Sequence, residues 1–223
     1  MHELYAALKC ACAEDPSLAA VAPGCSAHCH GWGYVIHADN GLFHYRTARS
    51  IYQDDIALPK MEGHIRAIFH GRYASKPELA GAIFSHPFVA TDDARTIFFA
   101  HNGGLEVPGL PVRKVDSEWA LEQIMAQGGI EPALPLLKEH TKSALNILVL
   151  TIGREKGTPA VLNYFHYFKP TEPGKVKYYT MFEGRMPGGR ALISSTLTLP
   201  GAKLTNLAAI QPAVFEKLIN LDA

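Results

Sequence analysis

Residues 96–152 change hydrophobic period twice, and that double change limits the folds open to the chain. Thr96 to His101 is a short apolar run suited to a strand. From Asp116 the apolar positions Trp119, Leu121, Ile124 and Met125 recur at helical spacing and stop at Gly128-Gly129. A second helix is predicted over Pro132 to His140, with proline in its first turn, and Leu145 to Ile152 returns to a strand. Strands are predicted on either side of this helical pair. Glu3–Lys9, Gly31–Ala38, Leu42–Thr47 and His64–Tyr73 precede it; Ala160–Phe168, Val176–Glu183 and Ala191–Leu199 follow. Asp39-Asn40-Gly41 supplies a hairpin turn between the second and third, and Ala213–Ile219 fits either a strand or a helix. Many strands around one helical pair predict an α+β fold in which helices cover sheets.

Composition limits the function classes. A chain of 223 residues, 48% hydrophobic and 19% charged, is expected to be a single domain spanning 1–223. Its formal net charge is zero, with Lys and Arg scattered, so no nucleic-acid or anionic-membrane partner is expected, and a small molecule or a protein is. No apolar run approaches a bilayer span, and the start MHELYAALKCA lacks the basic and apolar regions of a secretory signal, which predicts a cytoplasmic protein. The four cysteines, Cys10, Cys12, Cys25 and Cys29, fall in the first thirty residues and are read as reduced. With His28 and His30 they contain enough soft ligands for a zinc site. Their spacing matches no standard one, so small buried cysteines are the preferred reading, with no metal and no cofactor.

Three short motifs follow in close order: HGRYAS (His70–Ser75), SHPF (Ser85–Phe88) and AHNGG (Ala100–Gly104). HGWGY (His30–Tyr34) precedes them and DSE (Asp116–Glu118) follows. In isolation Arg72 reads as a surface arginine at a strand end, Asn102-Gly103 as an ordinary turn and Asp116 as a helix cap. In this order and spacing they resemble the glutaminase domain of class II glutamine amidotransferases, a branch of the N-terminal-nucleophile hydrolases. The resemblance covers residues 1–120 through motifs and the remainder through strand pattern alone. It implies a four-layer αββα sandwich of two mainly antiparallel sheets; only one helical pair is visible in the sequence, so either the helical layers are reduced or one helix lies hidden in residues 13–22 or 50–60.

The resemblance also implies roles. Arg72 would hold the α-carboxylate of glutamine, for which a guanidinium fork is suited. His64-Ile65-Arg66 is a competing register, less well spaced from Ser85-His86-Pro87-Phe88. Asp116 would pair with the α-ammonium, Asn102 and the Gly103 N–H would face the amide oxygen, and Tyr73, Ser75, His86 and Trp32 would shape the site. The substrate would be L-glutamine or a γ-glutamyl compound, hydrolysed through a thioester to glutamate and ammonia. With no synthase domain within these 223 residues, the expectation is that the ammonia would either be released or be passed to a separate synthase subunit.

The family's nucleophile is a cysteine directly after the initiator methionine, and here position 2 is His2. Histidine is too large for methionine removal, so both the thiol and the free α-amine are missing from that place. A neutral imidazole can form an acyl intermediate, but His2 has no oriented base. Two accounts stand level: a natural loss of catalysis, leaving an amino-acid-binding or interaction module, or a single altered residue in a copy of an active enzyme. Were Glu3–Lys9 a strand, Cys10 would lie about 26 Å from position 2, too far to substitute.

Overall fold

The structure is a computed structural model that describes residues 1–186, 188–198, 205–212 and 219–220. It opens not with a strand but with helix α1 (His2–Ala13). ELYAALKCA is built from strong helix formers, and Ala7, Leu8, Ala11 and Cys12 recur at helical spacing as its buried stripe. A seven-residue apolar run fits both element types, and here propensity and the four-residue repeat decide. The helix stops where Asp15 precedes Pro16 and is extended (φ −119°, ψ 90°). A helix rises about 1.5 Å per residue, so residues 2 and 10 are about 12 Å apart along it, not the distance a strand would give.

Strands β1 (Trp32–Ala38) and β2 (Gly41–Thr47) form the expected hairpin, and β3 (Arg66–Gly71) pairs with the other edge of β1, all antiparallel. A second sheet holds β4 (Phe88–Thr91), β5 (Arg95–Leu105), β6 (Thr141–Gly153), β7 (Val161–Phe165) and, at its far edge, β11 (Ile219–Asn220). β4 is an addition to the sequence reading. Helices α2 (Asp116–Ala126) and α3 (Ile130–Glu139) join β5 to β6, at the predicted places. Val176–Glu183 is not one strand: proline at a helix start gives α4 (Pro173–Tyr179), and β8 (Met181–Met186) follows. β8 pairs with β9 (Gly189–Ser194) and β10 (Thr205–Ala209). The segments expected to hide a helix hold only 3-10 turns, Pro16–Ala20 and Ile51–Gln53. Leu199 and, apart from Ile219, the segment Ala213–Ile219 lie outside the described residues.

Strand alternation sorts the core. Ile97 and Phe99 of β5, with Leu145, Ile147 and Val149 of β6, pack against Ala120, Leu121 and Ile124 of α2 and Leu134 and Leu137 of α3. The intervening residues Phe98, Ala100, Leu148 and Leu150 face the other way and meet Val35 of β1 and Ile68 of β3. On the opposite side of β1–β3, Trp32, Tyr34, Ile36 and Phe69 pack with Leu8, Ala11 and Cys12 of α1 and with Ile193 of β9. Period-two burial thus gives both sheets two covered faces. Among the described residues no helix is long and apolar enough to cross a membrane.

Candidate functional site

A cavity of about 450 Å³ opens where β3, β5 and the start of α2 converge. Arg72, Tyr73 and Ser75 line it from the end of β3, His86 from the loop before β4, Asn102 and Gly103 from β5, and Asp116 from α2. The motif residues, far apart in sequence, therefore share one wall system. His2 does not line it: this residue is exposed at the first turn of α1. Trp32 is fully buried and stands outside the lining, where its Nε1 donates to Asp54 Oδ2 at 2.9 Å.

The HGWGY motif acts by letting segments approach. A Cβ on Gly31 would lie 2.2 Å from Ser85 Oγ, and one on Gly33 2.4 Å from the His86 carbonyl oxygen. Both glycines admit the SHPF segment against β1. His30 completes the junction, since its Nδ1 accepts the Ala74 N–H at 2.9 Å and so pins the strand end that carries Arg72.

Arg72 is largely buried, and its Nη1 donates to the Leu79 carbonyl at 2.7 Å. Burial pulls its pKa below the ordinary arginine value, and the Asp116 carboxylate opposes that shift. Asp116 is held by the backbone: Oδ2 accepts from Leu105 N at 2.7 Å and Oδ1 from Ser117 N at 2.9 Å. AHNGG lies within β5, which runs on beyond the predicted strand Thr96–His101 to Leu105, so Asn102-Gly103 is not a turn. The β5–β6 register shifts between Gly103 and Leu105. Gly103 has φ +144°, and a Cβ there would lie 1.9 Å from the Ala144 carbonyl oxygen, so the bulge requires glycine. The Asn102 side-chain amide has no hydrogen-bond partner among the described residues.

Three histidines, His70, His86 and His101, also line the cavity. His101 Nε2 donates to the Ala144 carbonyl at 3.1 Å, which leaves Nδ1 to accept from Ser117 Oγ at 3.0 Å; this histidine ties β5 to β6 and α2. His70 and His86 have ring centroids 4.3 Å apart. Burial pushes His70 down to about 3 and holds His86 well below the usual histidine value, so both are neutral at pH 7. Among the described residues neither ring nitrogen of His86 has a partner.

The cysteines separate. Cys10 and Cys29 are exposed, contrary to the expectation of buried thiols, and Cys25 Sγ lies 3.1 Å from the Tyr73 hydroxyl. Among the described residues no group of three Cys, His, Asp or Glu side chains is placed to hold a metal. Cys12 is the buried one and lines the cavity, as does His28. No protein-family model matches the chain, and none of the curated proteins matches its sequence. Lys142, Asn146, Tyr178 and Tyr179 also line the cavity, although no sequence motif marks them. Asn146 is a fixed wall: its Nδ2 donates to the Tyr179 carbonyl at 2.8 Å, and its Oδ1 accepts from His166 Nδ1 at 2.7 Å. Its signal is faint, a lone polar residue in the apolar run of β6.

Proposed function

We propose that the cavity binds L-glutamine or a γ-glutamyl compound through its α-amino-acid end, in the manner of a class II glutamine amidotransferase. The observation that carries this reading is the presence of Arg72 and Asp116 on one cavity wall with Asn102 and Gly103 beside them. A buried guanidinium matches an α-carboxylate. Each Asp116 oxygen keeps a lone pair beyond its backbone N–H bond and can accept from an α-ammonium. The unpartnered Asn102 amide and the Gly103 backbone suit a carbonyl oxygen. The order helices, sheet, sheet, helix, formed by α2 and α3, β4–β7, β1–β3 and α1, supports the four-layer N-terminal-nucleophile sandwich.

The placement of His2 favours a second reading, a binding module without turnover at residue 2, because that residue is exposed outside the cavity. Titration calorimetry with L-glutamine, D-glutamine and 4-aminobutanamide, which lacks the α-carboxylate, tests the shared part of both. Binding of the L-isomer alone is expected. Equal affinity for all three, or for none, would remove the clamp. An ammonia-release assay then separates the two readings.

A further inference from the structure

We propose that this cavity is built for a γ-glutamyl amide whose nitrogen carries an apolar substituent of aryl size, rather than for free L-glutamine. The proposal rests on the reading above that Arg72 and Asp116 hold the α-amino-acid end, and it names the chemistry of the other end.

Volume is the first observation. A buried cavity of about 150 Å³ holds one benzene, about 25 Å³ per non-hydrogen atom, so L-glutamine fills about 250 Å³. The cavity has about 450 Å³, which leaves about 200 Å³, room for about eight further non-hydrogen atoms.

Strand register gives the cavity a direction. A Cβ on Gly104 would lie 3.5 Å from Ser143 Oγ and 4.0 Å from Asp116 Oδ2, so the clamp carboxylate stands at the Gly104 level of β5. One residue back, Gly103 abuts the Ala144 carbonyl. One further back, Asn102 pairs with Asn146, whose Nδ2 donates to the Tyr179 carbonyl at 2.8 Å. The order along β5 is therefore partner of the α-ammonium, donors to the amide oxygen, then Tyr179. A substituent on the amide nitrogen continues that line away from the clamp.

What it meets there is apolar. Tyr178 and Tyr179, at the end of α4, are buried with Leu18 and Ala144, and Val21, Ala22 and Tyr73 pack on the same cluster. All of these except Ala144 line the cavity. Tyr73 follows Arg72 directly, so the cluster begins where the clamp ends. Among the described residues the Lys, Arg, Asp and Glu side chains in the lining are Arg72, Asp116 and Lys142, and Lys142 precedes Ser143 at the clamp end of β6. A carboxylate or ammonium buried among the tyrosines loses its hydration without a matching charge, whereas an aryl or alkyl group gains from leaving water.

Titration calorimetry on the full chain tests this with five ligands. They are L-glutamine, its N-ethyl and N-(2-phenylethyl) γ-amides, γ-glutamylglycine, and 4-amino-N-(2-phenylethyl)butanamide, which lacks the α-carboxylate. The phenylethylamide is expected to bind about tenfold or more tighter than L-glutamine, with the ethylamide between them and γ-glutamylglycine no tighter than L-glutamine. Ala22→Trp places a ring in the apolar half and should cut the ratio of phenylethylamide to L-glutamine affinity by about tenfold or more. The ligand series on the unaltered chain decides the matter even where that variant fails to fold. L-glutamine binding as tightly as the phenylethylamide, γ-glutamylglycine binding tightest, or an unchanged ratio in folded Ala22→Trp overturns the proposal and leaves the clamp standing. Equal affinity for the phenylethylamide with and without its α-carboxylate, or no binding by any of the five, removes the clamp and the proposal with it.

Discussion

The Asp116 carboxylate accepts the backbone N–H of Leu105 at 2.7 Å, across the shift in register that ends the AHNGG segment. One side chain thus fixes the strand bulge to the start of α2 while facing the cavity. Asp116→Asn keeps an acceptor and removes the charge, whereas Asp116→Ala removes both. The asparagine variant should bind L-glutamine at least about tenfold more weakly with its thermal midpoint near the parent. The alanine variant should also lose about 1–3 kcal/mol of stability. Calorimetry paired with chemical denaturation separates these, and equal stability loss in the two variants would mean the carboxylate serves the fold alone.

Gly103 admits no side chain. Its φ is +144°, and a methyl group added at its Cα would come within 1.9 Å of the Ala144 carbonyl oxygen, so Gly103→Ala must break the β5–β6 pairing locally. A destabilisation of at least ~2 kcal/mol is expected from urea midpoints. A neutral substitution would show that the bulge is not obligatory.

Arg72→Lys should behave as a loss rather than a conservative change. A lysine can place one charge near a carboxylate but cannot hold it with a planar fork while also donating to the Leu79 carbonyl as Arg72 does at 2.7 Å. L-glutamine affinity should fall by about tenfold or more, ~1.4 kcal/mol, in titration calorimetry. Unchanged affinity would place the α-carboxylate elsewhere.

Acid should destabilise the protein early. His70 is held down to about 3 and His166 to about 4 by burial, each below the value of about 6.5 expected in the unfolded chain. The unfolded state therefore binds more protons below about pH 6.5. The stability these residues contribute is complete above that value and is lost as pH falls from about 6.5 towards 4 and then 3. Denaturation midpoints measured from about pH 7.5 down to about pH 4 should decline over that window, and a flat profile would count against the burial of both rings.

Much of the site is legible in the sequence because its residues are tied to local backbone requirements. Gly103 marks a bulge, Asp116 a helix start, and Arg72 the end of a strand, and such features leave short-range traces. The elements themselves are legible where periodicity is long, as in α2 and β6. Short apolar runs are not. ELYAALK has the length and apolar content of a strand, yet Leu4, Ala7, Leu8 and Ala11 repeat at helical spacing and the segment is a helix. Cys12 and His28 suggest at most a metal site in sequence, because what joins them is the packing of α1 against β3, a contact with no local signature.

Helix α1 has two unlike ends, His2 in solvent and Cys12 at the cavity. Position 2 is therefore a convenient handle: a fluorophore or a surface linker attached to a side chain there sits a helix length away from the pocket. Immobilised or labelled protein of that kind would keep its ligand entrance clear.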